Sequence, residues 1–186
     1  EPEPIVSQLM SESALRVHVL GVIASRPKIL KPELLYFFEE TFLSKYHGNE
    51  IISFEINSLL KYLTDEGLII MRNELLMATK FGKRTSLLYI DPKTGIHFKN
   101  NLDYYNSNKI NDGTNFLHWI CDSYDFYPKL TLRQNEIKYF ERMFEKHKLS
   151  SYGLSNYDYS LKNLIILLEW IDESSEANLN EKIGVE

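Results

Sequence analysis

A mainly α-helical chain interrupted by one β-hairpin is the fold class this sequence predicts, on three observations. Apolar residues recur at helical spacing through most of the chain. Two short apolar runs, Leu68–Met71 and Leu75–Ala78, flank a polar turn at Arg72, Asn73 and Glu74. A hydrophobic content of 44%, with 13% aromatic residues, supplies an ordinary core and argues against disorder.

The elements follow in order. Residues 1–9 carry two prolines within four positions and read as an extended connector. Ser11 or Ser13 can cap a first helix running to about Ser25, with Leu15, Val19, Val22 and Ile23 on one stripe. Pro32 suits the first turn of a second helix, apolar on Leu34, Leu35, Phe38 and Phe42 and fading by Gly48. Asn49 is a candidate cap for a third helix, with Ile52, Ile56, Leu59, Leu60 and Leu63 on its inner face and Gly67 as its stop. The hairpin comes next, then a helix over about Lys80–Tyr89 that Asp91-Pro92 breaks, and another over Thr94–Tyr105. Asn106–Thr114 is polar and turn-rich. Helices are expected near 114–122, 132–148 and 158–175, the middle one with Thr131 and Gln134 as a capping pair.

Three helices followed by a hairpin define a winged-helix domain, placed at 10–95 with a three-helix core and the hairpin as its wing. A helical-bundle domain is placed at 96–186. No apolar run approaches the roughly 20 residues of a membrane span, and the single cysteine, Cys121, excludes an intrachain disulfide. A cytoplasmic location is therefore expected.

The net charge of −5 is unusual for a freestanding nucleic-acid binder, and its distribution is uneven. Residues 1–100 hold 12 basic and 12 acidic side chains, whereas 101–186 hold 9 and 14. One stretch is locally basic, with Arg72, Lys80, Lys83, Arg84, Lys93 and Lys99 against Glu74 and Asp91. The third helix, where a winged helix normally reads DNA, has a net charge of −2 over residues 51–66, and carboxylates facing phosphates repel them. Phosphate contact is therefore expected from Arg72, Lys80, Lys83 and Arg84, against the plainer reading of solvated charges. His118, Cys121 and Asp122 fall on one helical side, but a zinc site wants four ligands, and no metal is expected. The carboxylates of DSYDFY at 122–127 have no nucleophile or oxyanion motif beside them. No G-x-x-x-x-G-K-[ST] phosphate loop is present, so this chain is expected neither to bind nor to hydrolyse ATP.

The segment ATKFGKRTSLLYIDP (78–92) resembles the winged-helix domain of the Ski-like superfamily-2 helicases, most closely the archaeal Holliday-junction-migration (Hjm) type. SESALRVHVLGVIAS, FFEETFLSKYHG and DPKTG resemble further parts of that domain. TNFLHWICDSYDFYP and the tail LLEWIDESSEANLNEKIGVE resemble the family's helical ratchet domain. The stretches 98–112 and 150–159 depart from it. The resemblance implies the accessory region of an ATP-dependent 3′–5′ DNA helicase acting on forked DNA in repair and replication restart. The motor, its ATP and its magnesium would lie outside this chain, and DNA would be met through the parent enzyme. It also implies that the helix at 80–89 packs against motor domains, with Gly82, Ser86 and Tyr89 in packing roles. In the family the DNA-tracking helix begins past the segment matched by Glu181–Glu186, so the ratchet domain is read as truncated at its C-terminus. The alternatives are a freestanding winged-helix DNA-binding or protein-interaction module, or the same region of a Ski-like RNA helicase. DPKTG and FLHWICDSYDFYP favour the DNA branch.

Overall fold

Ser11 turns its hydroxyl back to accept the Ala14 amide at 3.3 Å, and this cap starts α1 (Glu12–Ala24). The computed structural model describes residues 11–108, 113–147 and 157–175, so the expected connector at 1–9 and the tail past Ser175 lie outside the described residues. The chain forms two units, residues 1–96 and 97–186, the division falling inside one helix.

In the first unit α1 buries Leu15, Val19, Leu20 and Ile23. A two-residue strand, β1 (Ile29–Leu30), leads into α2 (Lys31–Glu39), where Pro32 sits in the first turn and Glu33 accepts the Leu30 amide at 3.0 Å. The expected single helix to Gly48 is in fact two, because the Thr41 amide and hydroxyl both turn back to the Phe38 carbonyl and close α2. A short α3 (Phe42–His47) follows. Gly48, at φ +88°, and not Asn49, precedes the first residue of α4 (Asn49–Asp65). This helix buries Ile52, Ile56, Leu60 and Leu63, each contributing about 1.5–3 kcal/mol by leaving water. Gly67, at φ +70°, ends it.

Strands β2 (Ile69–Arg72) and β3 (Leu75–Ala78) pair antiparallel, Arg72 opposite Leu75 and Ile69 opposite Ala78. Asn73 and Glu74 both take positive φ, the pattern of a type I′ turn, whose twist suits a two-residue hairpin loop. β1 adds on the other side of β3, Ile29 opposite Leu76, so the sheet order is β1-β3-β2. α5 (Lys80–Leu87) stops short of the expected Tyr89, which stands at φ +55° and cannot continue a helix. α6 (Pro92–Asn108) begins and ends beyond the expected Thr94–Tyr105.

The second unit contains α7 (Gly113–Asp122), α8 (Ile137–Lys146) and α9 (Tyr157–Ile171). Cys121, Phe140, Leu161, Leu164 and Ile165 form its core. Trp119 receives Tyr105 and Phe116 edge-on, with ring centroids 4.5 and 4.8 Å away. α8 starts five residues later than expected. The turn before it is held by Glu136, whose carboxylate accepts the Arg133 amide at 2.8 Å and pairs with buried Lys162 at 2.9 Å. That contact occupies the place of the expected Thr131–Gln134 capping pair. No described helix is long and apolar enough to cross a membrane.

Candidate nucleic-acid interface

The hairpin and α5 carry the four basic residues singled out by sequence, and a run of small residues fixes where α5 points. Thr79 caps it, its Oγ1 accepting the Gly82 amide at 3.0 Å while donating to the Gly67 carbonyl at 2.8 Å. The Thr79 amide donates to the Leu68 carbonyl at 3.0 Å. Gly82 lies so close to that carbonyl that a Cβ would stand 2.0 Å from the Leu68 oxygen. One turn on, buried Thr85 packs on Gly95 of α6, where a Cβ would meet Thr85 Oγ1 at 2.8 Å. The helix therefore turns Gly82 and Thr85 inward at distances that only small residues allow.

At about 100° per residue, Lys80 and Arg84 lie roughly 40° apart on the side away from Gly82 and Thr85, with Lys83 some 60° from Lys80. All three are exposed. Among the described residues none of them, nor Arg72, forms an ion pair. Lys93 of the same basic stretch differs, lying 3.7 Å from Glu12. The structure groups Lys80, Lys83 and Arg84 and sets Arg72 apart. Arg72 closes β2 at the hairpin tip, five residue steps of β3 and its exit, roughly 16 Å, from the start of α5.

α4 offers phosphates nothing comparable. Its outer face shows Ile51, 51% exposed, and Phe54, 69% exposed, with exposed Glu50 and Asp65 against one exposed cation, Lys61. Of the residues read as packing positions, Gly82 is buried and Ser86 half-buried. Tyr89 is 72% exposed and meets the His18 ring edge-on at 6.5 Å.

Sequence reasoning missed the polar centre of this unit. The sequence marks Asp91 as a helix breaker, a surface-type acid and the start of DPKTG, yet its carboxylate is buried and takes at least four hydrogen bonds. Arg16 Nε and Nη2 donate at 3.0 and 2.9 Å, Ser13 Oγ at 2.6 Å and the Lys93 amide at 2.8 Å. Burial alone would raise the Asp91 carboxyl, but the Arg16, Ser13 and Lys93 bonds outweigh it and hold the group below the usual carboxylate range. The Asp-Pro pair at a helix start was the available signal. Its partner on α1, 75 residues away, left none.

In the second unit the expected one-sided set does not converge. His118 Nε2 meets Ser160 Oγ at 3.0 Å, whereas Asp122 faces His97 Nε2 at 3.6 Å. Burial holds the His118 imidazole down to about 4 and pushes the Cys121 thiol up to about 12, leaving a neutral ring and an unreactive sulfur. Burial also lowers His97, against the pull of Asp122. No group of three metal-ligating residues is assembled among the described residues.

Comparison with known proteins gives this arrangement its context. Residues 114–186 match the family model of archaeal helicase domain 4, which sets the second unit in the class of helicase accessory domains. The whole chain is 30% identical to the ATP-dependent DNA helicase Hel308 of Thermoplasma volcanium, covering 100% of this chain and 26% of that protein. It is 28% identical to Hel308 of Methanococcus vannielii over 99% of this chain and 30% of that protein. With Hel308 of Pyrococcus horikoshii the identity is 30% over 100% of this chain and 27% of that protein. These matches support an archaeal Hel308-type helicase fragment, and the chain spans between a quarter and a third of the length of these curated relatives.

Proposed function

We propose that this chain is an accessory region of an ATP-dependent 3′–5′ DNA helicase working on forked or branched DNA in repair and replication restart. In this reading the first unit is a winged-helix module and the second the helical domain it serves. ATP and magnesium belong to motor domains of the parent enzyme, against which α5 packs, and the parent works in the cytoplasm. The chain by itself neither turns over ATP nor unwinds DNA.

The observation that carries the reading is the build of α5. Gly82 and Thr85 lock its inner side against Leu68 and Gly95, and Lys80, Lys83 and Arg84 stand outside with no carboxylate partner among the described residues. Cations held this way by a rigid backbone can meet the phosphates of a duplex without reading its sequence. Arg72, at the hairpin tip, is a separate contact one strand length away. The acidic, apolar outer face of α4 supports keeping base readout off that helix.

The test is fluorescence anisotropy on two forked DNAs of unrelated sequence, with wild type, Lys80→Ala/Arg84→Ala and Arg72→Ala. The expected result is an equal weakening on both sequences, larger for the double variant. A preference of the wild type for one sequence, or unchanged binding by the double variant, contradicts the proposal.

A further inference from the structure

An open groove of about 730 Å³ runs along α2 and the chain before it. That volume falls in the range of about 300–1,000 Å³ typical of ligand sites, large enough for a short peptide segment rather than a lone ion. Its lining is largely apolar, with Pro32, Tyr36 and Phe37 on α2. Tyr36 is 63% and Phe37 44% exposed, although aromatic rings are among the side chains a fold most readily buries.

The charges around these rings favour one kind of occupant. Glu33 and Glu40 line the same groove, against the single cation Arg26. The Leu30 amide bonds to Glu33 Oε2 at 3.0 Å and fixes that carboxylate on its turn. Glu40 is the C-cap of α2, so the partially negative end of the helix opens here as well. Ring faces, carboxylates and a helix C-terminus all attract cations. A nucleobase would find rings to stack on, but its phosphates would face Glu33 and Glu40.

We propose that this groove docks a segment of another protein that places an arginine side chain over Tyr36 and Phe37 and against Glu33 and Glu40. Arg26, which lines the same groove, meets backbone carbonyls of that segment. The site is independent of the DNA contacts assigned to α5 and stands whether or not those hold.

The experiment titrates the 186-residue chain with alanine–proline heptapeptides whose central residue is arginine, citrulline or glutamate, followed by backbone amide chemical shifts. The arginine peptide is expected to move the amides of Tyr36, Phe37, Glu40 and Thr41. Citrulline has the same shape without the charge and should bind at least tenfold more weakly, and the glutamate peptide not at all. Tyr36→Ala and Glu40→Gln, both at the surface of α2, should each weaken the arginine peptide about tenfold while leaving the melting temperature unchanged. Equal binding of arginine and citrulline, shifts confined to other residues, or no shift at millimolar peptide would overturn the proposal. So would an oligothymidylate that moves these amides more strongly than the arginine peptide, since the groove would then belong to nucleobases.

Discussion

Replacing Gly82 by alanine tests whether α5 is positioned by backbone contact. The added Cβ would lie 2.0 Å from the Leu68 carbonyl oxygen and 2.9 Å from its carbon. A carbon and a carbonyl oxygen normally approach to about 3.3 Å, so two backbones must separate by roughly 1.3 Å. No side chain can rotate away to absorb this. Moving Leu68 also disturbs the Thr79 amide bond to its carbonyl and the entry to β2. Overpacking costs about 1–3 kcal/mol and sometimes more, while alanine returns about 1 kcal/mol of helix propensity. A backbone clash belongs at the upper end, about 3 kcal/mol, and the net loss should be about 2 kcal/mol. At roughly 4–8 °C per kcal/mol for a domain of this size, the melting temperature should fall by about 8–16 °C. The assay is urea and thermal unfolding followed by circular dichroism, with Gly21→Ala as reference. Gly21 lies inside α1, and a Cβ added there would meet nothing within 4 Å, so alanine should be neutral or stabilise by up to about 1 kcal/mol. If Gly82→Ala is no more destabilising than Gly21→Ala, the contact does not position α5 as argued.

Three further outcomes follow from the same geometry. Gly95→Ala should destabilise less than Gly82→Ala, because its Cβ meets the Thr85 side chain and not backbone; combining it with Thr85→Ala should cost less than the sum of the two, as read in a double-mutant cycle. Asp91→Asn leaves the buried Arg16 guanidinium with only the exposed Glu12 carboxylate, 2.9 Å away, as counter-charge and should cost about 3 kcal/mol by urea unfolding, and a loss under about 1 kcal/mol would mean that the pair is not buried in solution. Because the folded Asp91 carboxyl sits below its unfolded value near 3.9, its contribution is complete above about pH 4 and is lost as pH falls through the lower folded value. The His118 imidazole, lowered to about 4 from an unfolded value near 6.5, gives stability that is complete above about pH 6.5 and fades towards pH 4, by about 3 kcal/mol in all. The check is the ring-proton shift of His118, which should hold its neutral value until about pH 4; titration near 6.5 would show the ring to be solvated.

What could be read from the sequence was whatever local periodicity and turn chemistry encode. The mainly helical class was visible in the stripes of α1 and α4, and the hairpin in two apolar runs around Asn73 and Glu74, whose polar side chains tolerate positive φ. What could not be read depends on contacts between distant segments. β1 is two residues long, too short for any alternation to show, and exists because it pairs with β3. The break between α2 and α3 comes from one carbonyl, that of Phe38, receiving both Thr41 donors. The late start of α8 follows from the pull of Lys162 on Glu136 across 26 residues. For the candidate interface, the helical spacing of Lys80, Lys83 and Arg84 was plain in the sequence. The separation of Arg72 from them needed the strand register, and the pairing of Lys93 with Glu12 needed the fold.

The account rests on Lys80 and Arg84 meeting phosphates, and the salt dependence of DNA binding tests that most directly. Each phosphate neutralised by a side chain contributes about 0.9 to the slope of log K against log salt on duplex DNA. Binding of the chain to a fixed forked DNA is measured from low to physiological salt, for wild type and for Lys80→Ala/Arg84→Ala. Two lost contacts should make the slope shallower by about 1.8, with the same change on an unrelated sequence. An identical slope for the two proteins would return both side chains to the class of solvated charges and contradict the interface.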